Sequence, residues 1–307
     1  MAQPDVSSET VRALLVREMS GPIRIHDLEP LAGGNVGRTF GFTANGEPFV
    51  VCFNWRTLGG FGKEATIERL LAGSGVPFPH LVKTGTLDAA DLDWAISARL
   101  PGHGFRIDDP ALPTLLPSLF AMMDAIHAAT LAGTTGYGGF DAAGTGHDPS
   151  WHAHIRSVRA DGPADGPFPP WETLFSTTIL EREAIDALMR TVETLLPFCP
   201  EERQLVHGDF GFDNVLVAEG RVTGVIDWQN ARFGDGLYDV AWLDFWPDPP
   251  LGIASEFIAW AAARGTSLPH AAATRRRSRW TRYASSSMRA SRTPTGGCAV
   301  GAASPIS

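Results

Sequence analysis

The 307-residue chain reads as an α+β protein of two lobes, a small antiparallel sheet followed by a mainly helical region. Three observations predict this. Between Ile23 and Asn54, short apolar stretches are separated by glycine-rich turns. Residues 112–130 and 181–196 carry apolar side chains at helical spacing. At 44% hydrophobic residues, the chain is long enough to bury one large core or two smaller ones.

The elements follow in order. Val11, Leu14, Leu15 and Met19 predict a helix over 8–19, which Ser7 or Ser8 can cap. Three strands are expected between 23 and 54, the last two joined by Asn45-Gly46, a strong hairpin signal. A helix over 62–73 is closed by Gly73, Gly75 and the Pro77/Pro79 pair. Strands near 81–87 and 93–99 complete the sheet, and Leu100-Pro101-Gly102 breaks the chain. Residues 131–172 are rich in Gly, Pro and Asp and read as a long surface segment. Short strands at 215–217 and 222–226 and helices near 235–246 and 251–264 follow. The expected division is 1–100, 101–269 and a tail at 270–307.

Charge is unevenly spread. Residues 1–269 carry -16, whereas 270–307 hold seven arginines and no acid. So acidic a body argues against nucleic acid as the main partner, because phosphate neutralisation needs Lys and Arg. It is compatible with a cationic ligand. No apolar run reaches the roughly 20 residues of a membrane span, so no membrane partner is expected. The N-terminus has no signal-peptide pattern. Cys52, Cys199 and Cys298 form no pairing or zinc spacing, which suggests a reducing cytoplasm. Two readings of the Arg/Ser-rich tail stand: a disordered basic segment, or translation in a shifted reading frame.

The informative stretch runs from Leu205 to Val217, with His207-Gly208-Asp209 at a turn and Asn214 five residues after Asp209. Thirteen residues after Asn214, Asp227 ends an apolar strand in Val225-Ile226-Asp227-Trp228. Two carboxylates and an amide at strand ends supply hard oxygen ligands and a potential base. Magnesium-dependent phosphoryl transfer requires such a set.

His-Gly-Asp-x-x-x-x-Asn followed by Ile-Asp-Trp resembles the aminoglycoside phosphotransferase family, relatives of the protein kinases. The stretch from Gly224 to Ala241 particularly resembles hygromycin B phosphotransferases. The resemblance covers about residues 25–265 and implies a bilobal, protein-kinase-like fold using ATP and Mg2+. It implies Asp209 as the catalytic aspartate and Asn214 and Asp227 as magnesium ligands. His207 shapes the loop, and Asp235 and Asp239 match positions that brace it. Gly33, Gly34 and Asn35 would lie over the ATP phosphates, with Cys52 and Glu64 beside them. Ala98 and Leu100 would meet the adenine edge through their backbone.

The chain departs from the family at Cys52, which stands where a basic residue usually holds the α- and β-phosphates. A thiol cannot do this as an ammonium would. Arg56, Lys63 and Arg38 are candidates to substitute. The expected acceptor is a small molecule with a hydroxyl, most of all a cationic aminoglycoside such as hygromycin B. Asp213, Trp228 and Asp244 are the leading acceptor-site residues. Asp141, Asp148, Asp248, Trp151, Trp242 and Trp246 are further candidates. The alternatives are a kinase of another small molecule (a macrolide, or a choline- or homoserine-like metabolite) and a nucleotide-binding homologue with little activity. A protein kinase is disfavoured, because Asp227 runs quickly into Gly234-Asp235 with no Asp-Phe-Gly to Ala-Pro-Glu segment.

Overall fold

A computed structural model of the chain describes residues 3–19, 23–31, 36–58, 60–106, 108–161, 169–245 and 251–265. The tail at 270–307, Trp246, Asp248 and the Gly33–Asn35 turn lie outside the described residues.

The first helix, α1 (Ser8–Glu18), is capped by Ser7, whose hydroxyl accepts from the Thr10 N–H. Strands β1 (Ile25–Pro30), β2 (Arg38–Ala44) and β3 (Glu47–Trp55) run antiparallel. Asn45 and Gly46 both take positive φ in the hairpin between β2 and β3. Helix α2 (Glu64–Leu71) follows, then β4 (Leu81–Leu87) and β5 (Leu92–Ala98). The five strands form one sheet in the order β1-β2-β3-β5-β4. Because alternate side chains face opposite ways, Val51 and Phe53 of β3 join Phe40, Phe42, Trp94 and Ile96 under α1. Cys52 therefore points to the other side of the sheet.

A second core lies beyond Ala98. Its centre is α3 (Leu112–His127), whose buried Leu112, Leu115, Leu116, Leu119, Met123 and Ile126 recur at three and four residues. Each such side chain is worth about 1.5–3 kcal/mol on burial. Helix α2 contributes Ile67, Leu70 and Leu71 to this core rather than to the one under α1. It is thereby fixed to the helical region while following the sheet in sequence.

Around α3 lie β6 (His103–Gly104), β7 (Tyr137–Phe140), β8 (Gly146–Asp148), α4 (Trp151–Ser157), α5 (Trp171–Thr177) and α6 (Arg182–Leu195). The motif region supplies β9 (Gln204–Val206), β10 (Val215–Ala218), β11 (Arg221–Val225) and β12 (Arg232–Gly234). Helices α7 (Leu237–Trp242) and α8 (Ile253–Ala263) end the described fold. Two small sheets result, β11-β10-β6 and β8-β7-β12-β9.

The long surface segment expected over 131–172 is corrected here. It holds β7, β8 and α4 and the start of α5, and Trp151 within it is 1% exposed. Its glycines conceal the pattern, since Gly138 and Gly139 occupy strand positions that carry no side chain to read. Gly234 is required at the same place: a Cβ there would strike the Trp151 ring.

Candidate active site

The strands β9, β10 and β11 bring their ends together, and the three motif residues sit at those ends. Asp209 follows β9, Asn214 closes the turn Phe212–Asn214 ahead of β10, and Asp227 follows β11. Pairing between β10 and β11 and the hydrogen bond from Ile226 N to Asn214 O (2.9 Å) fix the spacing of Asn214 and Asp227. Asp227 takes φ 60°, a left-handed conformation that costs a non-glycine residue energy and concentrates at functional sites.

The loop between His207 and Asp209 is held from beneath. Asp239, fully buried on α7, accepts hydrogen bonds from His207 N (2.9 Å), Gly208 N (2.8 Å) and His127 Nε2 (3.0 Å). Burial works against its charge, but the bond and charge of His127 and the bond from the His207 amide outweigh that, and the carboxyl lies below its usual range. His207 is equally buried, and burial lowers its pKa. Its Nε2 donates to Ile226 O (3.0 Å) while Nδ1 accepts from Asp209 N (3.3 Å). Both nitrogens are thus occupied by backbone, which makes it a neutral brace rather than a proton carrier. Gly208 takes φ +81°, and a Cβ there would collide with Asn230 O.

Asp209 is half-buried, and burial followed by the charge of Asp227 raises its pKa. Its Oδ1 accepts from Trp242 Nε1 at 2.8 Å. Asn214 Nδ2 donates to Asp209 O (2.9 Å), which leaves the amide oxygen for another partner. Among the described residues the Asp227 carboxylate accepts no hydrogen bond. One amide oxygen and one free carboxylate suit a hard cation completed by phosphate oxygens. Among the described residues no three His, Cys, Asp or Glu side chains gather to hold a metal by themselves.

On the sheet side, Cys52 lies in the field of Glu64 and Asp227. Burial pushes its thiol up to about 11, against a bond from Thr39 Oγ1 (3.4 Å). Glu64, at the start of α2, is pushed up to about 6 by burial, and its Oε2 is buried with no hydrogen-bond partner among the described residues. The expected set is therefore short of one cation opposite Glu64. Arg56 does not supply it, being paired with Asp88 at 2.7 Å on the surface. Lys63 is a cation electrostatically coupled to both Glu64 and Asp227, and burial lowers its pKa to about 8. Its Nζ bonds the carbonyls of Gln229 and Ala231, tying α2 to the segment after Asp227. Lys63 and Arg232 also line a cleft of about 420 Å³ with His147, Asp148, His154 and Asn230.

At the chain break, the Ala98 N–H bonds His80 O and the Arg99 N–H bonds Pro48 O. Leu100, next in the chain, keeps its N–H without a partner among the described residues.

Two acceptor-site expectations are corrected. Trp228 is 3% exposed, donates to Val225 O (3.0 Å) and packs on His207 and Phe78, so it is a core residue. Asp244 is buried and accepts from Ile253 N (3.0 Å) and Ala254 N (3.1 Å), capping α8. Among the wider candidates, Trp151 is core, and Asp141 holds the Ala143 and Thr145 amides of its own turn. Asp148 bonds His154 Nδ1 at 2.8 Å. Asp213 is exposed on the loop beside Asn214.

A phosphotransferase enzyme family model matches residues 27–277. The chain belongs to this phosphotransferase family. The Escherichia coli hygromycin-B 4-O-kinase is 34% identical over 249 residues, covering 80% of this chain and 69% of that protein. Crystal structures of aminoglycoside phosphotransferase APH(4)-Ia are similar over most of the chain. One matches with a TM-score of 0.70 at 30% identity, covering 91% of this chain and 90% of the other. A thermostable mutant in ternary complex with AMP-PNP and hygromycin B matches with a TM-score of 0.69 at 31% identity, covering 90% and 89%. The fold of this phosphotransferase is accordingly the bilobal, protein-kinase-like one.

The contacts that sequence reasoning missed are those of His127, Lys63 and the Trp242 indole. A signal for the last was present. Asp239 and Trp242 are three residues apart on α7, and that spacing puts both on the face turned to the loop.

Proposed function

We propose that this phosphotransferase moves the γ-phosphoryl group of ATP to a hydroxyl of an aminoglycoside, with hygromycin B the leading acceptor. The observation that carries this is the Asp209 carboxylate held beside Asn214 and Asp227, in a chain similar over nine-tenths of its length to a phosphotransferase bound to AMP-PNP and hygromycin B. ATP would enter between the sheet and the helical region, with its adenine at Ala98 and Leu100. Asp213 supplies an exposed acid on the acceptor side.

Asn214 and Asp227 would hold Mg2+, which when bound neutralises charge on the phosphate oxygens. Asp209 accepts the hydrogen bond of the acceptor hydroxyl and aims its oxygen at the γ-phosphorus. The oxygen–phosphorus bond forms as the bond to the β,γ-bridging oxygen breaks. The hydroxyl proton passes to Asp209, and ADP leaves with the bridging electron pair.

The test is ADP release by the purified full chain with ATP, Mg2+ and a panel of aminoglycosides, with mass spectrometry of the acceptor. Phosphorylated hygromycin B is the expected product. ATP binding with no acceptor modified would favour the nucleotide-binding reading, which the unpartnered Glu64 opposite Cys52 motivates.

Cys52→Lys should tighten ATP binding. The new ammonium would meet both the phosphates and the unpartnered Glu64 oxygen, and a charge-assisted bond is worth about 1.5–3 kcal/mol. That corresponds to roughly tenfold or more in Kd by calorimetric titration. Unchanged or weaker binding would remove Cys52 from the phosphate site.

A further inference from the structure

We propose that Trp242 is a positioning residue for the reaction, orienting the Asp209 carboxylate so that one oxygen is held by the indole and the other is presented to the acceptor hydroxyl. The Trp242 Nε1–H donates to Asp209 Oδ1 at 2.8 Å. An aspartate's terminal torsion is otherwise broad and roughly two-fold, and the other neighbour of the carboxylate, the Asn214 amide, has its Nδ2 engaged by Asp209 O at 2.9 Å. The indole cannot turn with it. Its ring stacks on Phe245 (centroids 5.0 Å apart, planes 6° apart) and on Tyr238 (6.0 Å, 15°). Tyr238 in turn meets the buried Trp151 edge to face, with the Arg232 guanidinium over its ring.

The choice of an indole has a chemical consequence. Its N–H is a neutral donor with no acceptor capacity. A lysine or arginine at this place would hold Asp209 as an ion pair and weaken it as a proton acceptor. The indole fixes direction without adding a competing charge. Helix α7 thus addresses the loop twice on one face: Asp239 holds the amides of His207 and Gly208, and Trp242 holds the carboxylate two residues later. The sequence had placed Trp242 among possible ring platforms for the acceptor. The structure has aromatic packing engage its ring and turns its polar edge to Asp209.

The kinetic arm of the test rests on the phosphotransferase reading above, and the spectroscopic arm does not. Trp242→Phe keeps the stack and removes the donor. With hygromycin B and ATP, kcat is expected to fall roughly tenfold or more, since reaction rates are steep in alignment. Both KM values should stay within about twofold, because binding contacts are retained. Unchanged kcat, or a rise confined to the KM for hygromycin B, overturns the proposal, the latter in favour of a ring platform. Independently, in full-length protein carrying ¹⁵N-labelled indoles, the signal lost in Trp242→Phe identifies the Nε1–H. That signal should move when Asp209→Ala removes its acceptor, and a stationary signal overturns the proposal. If the wild-type protein phosphorylates no aminoglycoside, the acceptor assignment fails, and the indole signal alone decides the role of Trp242.

Discussion

Asp209→Asn should reduce kcat by about 10²- to 10⁴-fold, the usual contribution of a positioned general base. The amide is nearly isosteric and can still meet the Trp242 indole through its oxygen, so the loop should keep its shape. What it loses is the charge and the ability to take the acceptor proton. Stability should hold or rise slightly, because burial and the charge of Asp227 already disfavour the ionised carboxylate. ATP binding should survive, since Asn214 and Asp227 are untouched. The measurement is a paired one: turnover with hygromycin B, and nucleotide affinity by titration. A variant that keeps more than a tenth of wild-type turnover would move the base elsewhere. A variant that also stops binding ATP would make Asp209 a structural residue.

Asp239→Ala should have the largest effect on stability. The carboxylate is fully buried and serves three donors, His207 N, Gly208 N and His127 Nε2. Its removal strands two buried amides and the His127 ring, the situation in which breaking a buried pair costs about 3–5 kcal/mol. For a chain of this size that is a fall in Tm of about 10 °C, read by calorimetry. The pH dependence follows from the sign of the shift. The folded pKa of Asp239 is depressed, so its contribution is complete above the unfolded aspartate value of about 3.9 and is lost as pH falls below that. Wild-type stability should therefore converge on that of the variant in acid. A Tm within about 2 °C of wild type at neutral pH would show that water replaces the carboxylate. Activity should fall as well, because the released Gly208 amide no longer holds Asp209 in place.

Much of the fold was legible because its signals are local. Ser7, the Asn45-Gly46 turn and the leucines of α3 act over a few residues, and each element formed close to its expected bounds. The segment 131–172 was misread for the opposite reason. Its strand β7 is half glycine and is stabilised by β12, which lies about ninety residues away in sequence. The site divides in the same way. Asp209, Asn214 and Asp227 stand out because the spacing of a turn and a hairpin sets them together. Trp228 and Asp244 were assigned to the acceptor on residue type, yet type alone does not say which way a side chain faces. The core around His207 claimed Trp228, and the unsatisfied amides at the start of α8 claimed Asp244.

The sequence by itself determined the family to which the chain belongs, and it singled out the candidate set Asp209, Asn214 and Asp227 with its order along strand ends. It also exposed the place where the expected cation is missing. Tertiary structure alone decided how that set is held. One Glu64 oxygen finds no hydrogen-bond donor among the described residues, Lys63 is drawn to the carbonyls after Asp227, and α7 turns Asp239 and Trp242 to the loop. The physical reason is range. Turns and helix caps are closed by neighbours in the chain, whereas a buried charge or a directed N–H must find its partner across the core, among residues that sequence separation does not relate.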